Sequence, residues 1–97
     1  METDANNAEH YADRANEYFQ LKDCPNAIKD ATKSIEYNEN SMKGYSIRAM
    51  TYMSLDQHDL ALGDYKMIHQ LKPSQENKTK IEIVKCIIQM IQSSRFK

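Results

Sequence analysis

Residues 11–27, YADRANEYFQLKDCPNA, and residues 45–61, YSIRAMTYMSLDQHDLA, decide how this 97-residue chain is read. Laid over each other at an offset of 34, they match at Tyr11 and Tyr45, Ala15 and Ala49, Tyr18 and Tyr52, Leu21 and Leu55, and Ala27 and Ala61. A period of that length marks stacked helical hairpins, none of which buries its apolar face without a neighbour. The alanines have a geometric reason. Two helices cross closely only where one side chain is small, so Ala15 facing Ala27, and Ala49 facing Ala61, allow axes about 8 Å apart. The tyrosines then fill the wider ends of each hairpin.

Outward from these stretches the apolar residues keep a helical period. Tyr11, Ala15, Tyr18, Phe19 and Leu21 line one face of a first helix that begins at Ala8, after a frayed end over residues 1–7. Asp23 is placed to cap a second helix, and Pro25 suits its first turn because the missing N–H would be unpaired there. Ala27, Ile28, Ala31, Ser34 and Ile35 point inward from it. Asn40 or Ser41 caps a third helix carrying Tyr45, Ala49, Tyr52, Met53 and Leu55. A turn over residues 56–59 leads to a fourth with Leu60, Ala61, Leu62, Tyr65, Ile68 and Leu71. Pro73 ends it, and Ser74 caps a fifth helix that runs to about Gln92. The reading is an all-α single domain over 8–92, built as a repeat at 8–41, a repeat at 42–75 and a capping helix at 75–92, with a tail at 93–97.

Composition narrows the function. Thirteen Lys and Arg against fourteen Asp and Glu give a net charge of -1, without the broad basic field of a nucleic-acid binder. Cys24 and Cys86 are too few and too far apart for a disulfide framework, which leaves two free thiols. The polar N-terminus lacks the blocks of a signal peptide, and no run reaches the ~18 apolar residues of a membrane span, so neither a membrane nor a nucleic acid is expected as a partner and the location expected is cytoplasmic. His10, His58 and His69 lack metal-ligand spacing, and no phosphate loop or nucleophile motif is present, so no enzyme, metal or cofactor is expected. Glu17, Asp23, Asp30, Asp56, Asp59 and Asp64 read as acids of helix starts and solvent faces.

The repeated residues resemble the tetratricopeptide repeat, a 34-residue helix-turn-helix. Its pattern is carried by Tyr45, Ala49, Tyr52, Ala61, Tyr65 and Pro73 in the second copy and by Tyr11, Ala15, Tyr18 and Ala27 in the first. The resemblance implies two hairpins and a closing helix, five helices in a short right-handed superhelix. Residues 15–38, ANEYFQLKDCPNAIKDATKSIEYN, and 42–65, MKGYSIRAMTYMSLDQHDLALGDY, look like segments of heat-shock co-chaperone domains, notably those of the serine/threonine phosphatase that bears such repeats. Such domains hold the acidic C-terminal tail of heat-shock chaperones with a clamp of Lys, Arg and Asn, because cations bind carboxylates through charge-assisted hydrogen bonds. Asn16 and Lys43 fall on clamp positions, whereas Ala12 and Ile47 stand where Lys and Arg or Asn are usual. The implied function is a noncatalytic adaptor that binds a short peptide or C-terminal tail, a chaperone tail being the family's ligand.

On the same face Ile47, Met50 and Met53 follow one another at i, i+3 and i+6, and Arg48 lies one residue from the missing clamp Arg. The stripe is either the wall of an open peptide groove or core lying under the fifth helix. In that helix Ile81, Ile83, Val84, Ile87, Ile88, Met90 and Ile91 spread over about half the circumference, wider than the ~100° one-sided packing requires. Ile83, Ile87, Met90 and Ile91 are therefore candidates for self-association or docking. Assembly, as a homodimer or within a larger complex, is the alternative function.

Overall fold

A computed structural model describes residues 4–95 of the chain. Five helices follow one another: α1 (Ala5–Gln20), α2 (Cys24–Tyr37), α3 (Met42–Ser54), α4 (His58–Leu71) and α5 (Gln75–Arg95). The caps fall mostly where the polar residues stood. Asp23 accepts the Asn26 N–H, Ser41 accepts the Gly44 N–H at 3.1 Å, and Ser74 accepts the Asn77 N–H at 3.1 Å. Each satisfies a backbone donor that the first helical turn leaves unpaired.

Three boundaries differ from the expectation. Residues 5–7 are helical rather than frayed, because Asp4 caps α1 by accepting the Asn7 N–H at 3.1 Å and donates its own N–H to the Tyr37 carbonyl at 2.9 Å. The rest of the expected frayed end, residues 1–3, lies outside the described residues. His58 is the first residue of α4, not part of the turn before it. α5 runs on to Arg95, past Gln92 and into the expected tail of 93–97, of which residues 96–97 lie outside the described residues.

The two hairpin turns are copies of each other. Lys22 and Asp56, 34 residues apart, both take the left-handed conformation, with φ of 62° and 59°. In each, the helix ends with two reversed backbone bonds: Lys22 N–H to the Phe19 carbonyl and Asp23 N–H to Tyr18, then Asp56 N–H to Met53 and Gln57 N–H to Tyr52. This Schellman arrangement satisfies the last carbonyls within three residues. Leu21 and Leu55 are the residues just before these turns and are exposed, at 76% and 41%. Their echo marks the turn rather than the core.

The core is made of small side chains. Ala15, Ala27, Ala31, Ala49 and Ala61 are completely buried, and the largest side chains buried to that degree are Thr51 and Ser34. Helices packed through alanine approach until backbones nearly touch, so buried hydroxyls must bond close by. Ser34 Oγ donates to the Ala8 carbonyl at 2.6 Å, and Thr51 Oγ1 donates to the Ile47 carbonyl at 2.7 Å. Gly44 is part of the same close approach: a Cβ there would lie 3.0 Å from Ser41 Oγ and 3.2 Å from the Ala31 carbonyl oxygen. α3 lies against α1, α2 and α4, whereas α5 lies against α4 alone among the described elements. Among the described residues no helix is long and apolar enough to cross a membrane.

Candidate peptide-binding face

Each hairpin is locked by an arginine and an aspartate sixteen residues apart. Arg14 meets Asp30 through Nε at 2.6 Å and a second nitrogen at 3.1 Å; Arg48 meets Asp64 at 2.8 and 2.7 Å. Arg48 also donates to Thr32 Oγ1 at 3.2 Å and lies over the rings of Tyr45 and Tyr52. The bidentate hydrogen bond to Asp64 raises the Arg48 pKa further, against the opposing effect of its burial; the bond to Asp30 and that residue's charge do the same for Arg14. Asp30 and Asp64 are therefore buried, at 3% and 5% exposure, not solvent-face acids as the sequence suggested. Arg48 is engaged by Asp64 in its own hairpin and by Thr32 of α2, and is removed from the peptide-binding set.

Ile47 is removed as well. It is 3% exposed and packs with Ala12, Ala15 and Ala31 where α1, α2 and α3 meet. Its period identified an inward face correctly, but α1 covers that face where a groove was one of the two readings. The other reading placed the stripe under the fifth helix. Among the described residues no Cα of α5 comes within 8 Å of one in α3, so α5 does not provide the cover. Met50 is half-buried against the Ala12–Ile47 cluster together with Phe19. Met53 is half-buried, with its sulfur 3.4 Å from His58 Nδ1.

What stays open is the seam between α1 and α3. Asn16 is half-buried on α1, and Lys43 is exposed at the start of α3. Lys43 Nζ forms an ion pair with Asp13 across the seam. At the far end, Phe19, Gln20, Lys22, Cys24 and Ser54 line a cavity of about 500 Å³. Sequence reasoning misses both Asp13 and this cavity. From Lys43 to Ser54 is eleven helical steps, about 17 Å, which an extended peptide of about five residues would span.

The outer side of α5 forms a separate surface. Ile81 and Val84 are buried facing α4. Ile83, Met90 and Ile91 are exposed, at 52%, 69% and 44%, and Ile87 is half-buried. Gln75, Lys78, Thr79, Glu82, Ile83, Cys86 and Ile87 border a shallow cavity of about 370 Å³. A further 34-residue step places Thr79, Glu82, Ile83 and Cys86 on Tyr45, Arg48, Ala49 and Tyr52. This is the face that α3 turns toward α4, and on α5 it has no helix against it among the described elements. Cys24 and Cys86 are both free thiols.

No family model matches the sequence. The first tetratricopeptide domain of Spaghetti (RPAP3), solved with the HSP90 peptide SRMEEVD, superposes with a TM-score of 0.78 at 25% identity, over 84% of this chain and 68% of that one. This chain has the tetratricopeptide fold. Proteins similar to it include human DnaJ homolog subfamily C member 7, 31% identical over 72 residues, and human serine/threonine-protein phosphatase 5, 34% identical over 73 residues. The matches take in 74% and 75% of this tetratricopeptide chain but 15% of each relative's length. The resemblance to tetratricopeptide proteins, which rested on Tyr45, Ala49, Tyr52, Ala61, Tyr65 and Pro73 with Tyr11, Ala15, Tyr18 and Ala27, and that to the phosphatase, which rested on residues 15–38 and 42–65, are thus supported by similarity over 74% and 75% of the chain.

Proposed function

We propose that the chain is a noncatalytic adaptor of the co-chaperone type, which holds a short extended peptide, such as the acidic tail of a heat-shock chaperone, along the α1–α3 seam. The observation that carries this reading is the ion pair of Lys43 on α3 with Asp13 on α1, three residues before Asn16, in a fold whose neighbour is solved with SRMEEVD. Lys43 supplies the charge for a terminal carboxylate, and Asn16 supplies an amide donor. Met50 and Phe19 give apolar contact between them and the end cavity. The chemistry of the face is recognition, and its place is the cytoplasm, where such tails are displayed. Titration with SRMEEVD tests the reading. Lys43→Ala should weaken binding about tenfold or more and Asn16→Ala by less, since a hydrogen bond to a charged group contributes roughly 1.5–3 kcal/mol. Binding unchanged in both variants would place the ligand elsewhere.

A second reading is assembly through α5, favoured by the exposure of Ile83, Met90 and Ile91. Its occupant is a second copy of the chain: Lys78 and Glu82 border the same apolar cavity, so the face offers both signs of charge to a twofold-related copy.

A further inference from the structure

Lys43, the cation that the proposed reading needs, is not free. It is held by Asp13, which projects from α1 one turn before Asn16. The other arginines near the seam cannot substitute, because Arg14 and Arg48 are bound to Asp30 and Asp64. Ala12 and Ile47, at the remaining clamp positions, are buried and apolar. Glu9, Asp13 and Glu17 are all exposed and four residues apart, so they form one acidic line along α1.

We infer that Asp13 is an internal competitor for Lys43 and sets the charge specificity of the peptide face. The inference rests on the reading of that face given above. In the free protein Asp13 occupies the ammonium that a ligand carboxylate would take. Both partners are about half exposed, and an exposed pair of this kind is weak, so a ligand displaces Asp13 at little cost. The larger effect follows displacement. The Asp13 carboxylate then stands beside the ligand's own carboxylate, with Glu9 and Glu17 one turn away on either side. A tail with several acids is penalised relative to one that sets its terminal carboxylate on Lys43 and turns a neutral or basic residue toward α1. The discrimination is electrostatic across solvent, so salt weakens it over a screening length of about 8–10 Å.

The test is calorimetric titration of SRMEEVD into the full chain, Asp13→Asn, Lys43→Ala and the double variant, at about 50 and about 200 mM salt. Asp13→Asn should tighten binding about five- to tenfold at the lower salt, as removal of one nearby like charge implies, and by less at the higher. The gain should be smaller in the Lys43→Ala background, where the repulsion remains but no ammonium is left for Asp13 to hold. The gain should be absent for a neutral peptide in which Gln replaces the Arg and both Glu, Asn replaces the Asp, the N-terminus is acetylated and the C-terminus is amidated. If Asp13→Asn binds as the parent does while Lys43→Ala binds more weakly, the competitor role is overturned and the peptide-binding reading stands. An equal gain for the neutral peptide overturns it too, because Asp13 would then act other than by charge. Failure of every protein to bind overturns the inference and the reading together. Thermal melts of the variants establish that each is folded; Asp13 is exposed, and its replacement leaves the core untouched.

Discussion

Asp64 has both carboxylate oxygens on one guanidinium and almost no contact with water. A buried charge so placed is tolerated only while its partner stays. Arg48→Ala should therefore lower stability by about 3–5 kcal/mol in urea unfolding, whereas replacing both residues by apolar ones of similar size should cost much less. Arg14→Ala should cost less than Arg48→Ala, because half of the Arg14 side chain is already in water. The sequence held the information: Arg14 and Arg48 are 34 apart, and so are Asp30 and Asp64. Residue type alone sends an aspartate to the surface, and only the repeat of both partners together pointed inward. Asn16 and Lys43 were singled out because they stand on motif positions for a known ligand, which is the ground on which they are proposed. Asp13 was not, since its pairing depends on how α1 docks beside α3.

At the scale of the helix, the two glycines separate intrinsic preference from packing. Gly63 is exposed on α4, and a methyl group placed there would have nothing within 4 Å, whereas Gly44 sits where α3 passes the Ala31 carbonyl. Gly63→Ala should stabilise the protein by about 0.8–1 kcal/mol, the helix-propensity difference, raising the melting midpoint by about 4–8 °C per kcal/mol. Gly44→Ala gains the same preference but must push α2 and α3 apart, and overpacking costs about 1–3 kcal/mol, so a net loss is expected by the same thermal melt. The five helices themselves were readable because period and caps agree at Asp23, Ser41 and Ser74. Their ends were less so. The start of α1 depends on the Asp4 N–H reaching Tyr37, a contact between elements that local sequence does not announce. Ile47 drops out of the stripe it forms with Met50 and Met53 for a related reason: periodicity gives a face, not what lies against it.

For the molecule as a whole, the side of α5 away from α4 has no helix against it among the described elements. Away from α4 this helix exposes Ile83, Met90 and Ile91. Sedimentation equilibrium of the full chain should show a monomer–dimer equilibrium, and Ile83→Lys should shift it to monomer while leaving the helical signal unchanged. A monomer at all concentrations would remove the second copy as occupant. This feature was visible from the helix's wide apolar arc, whereas its attachment to α4 alone was not, because that depends on how α5 docks.

The same single attachment has a kinetic consequence. Contacts run from each helix to the next, with α1 and α3 the only pair of described helices in contact that are not consecutive. Such a chain folds by local search, and its parts need not open together. α3 is gripped on three sides and can be released only with the body of the protein. α5 has one neighbour to leave, so its amides should exchange with solvent through a shorter, cheaper opening, on a clock separate from that of the two hairpins.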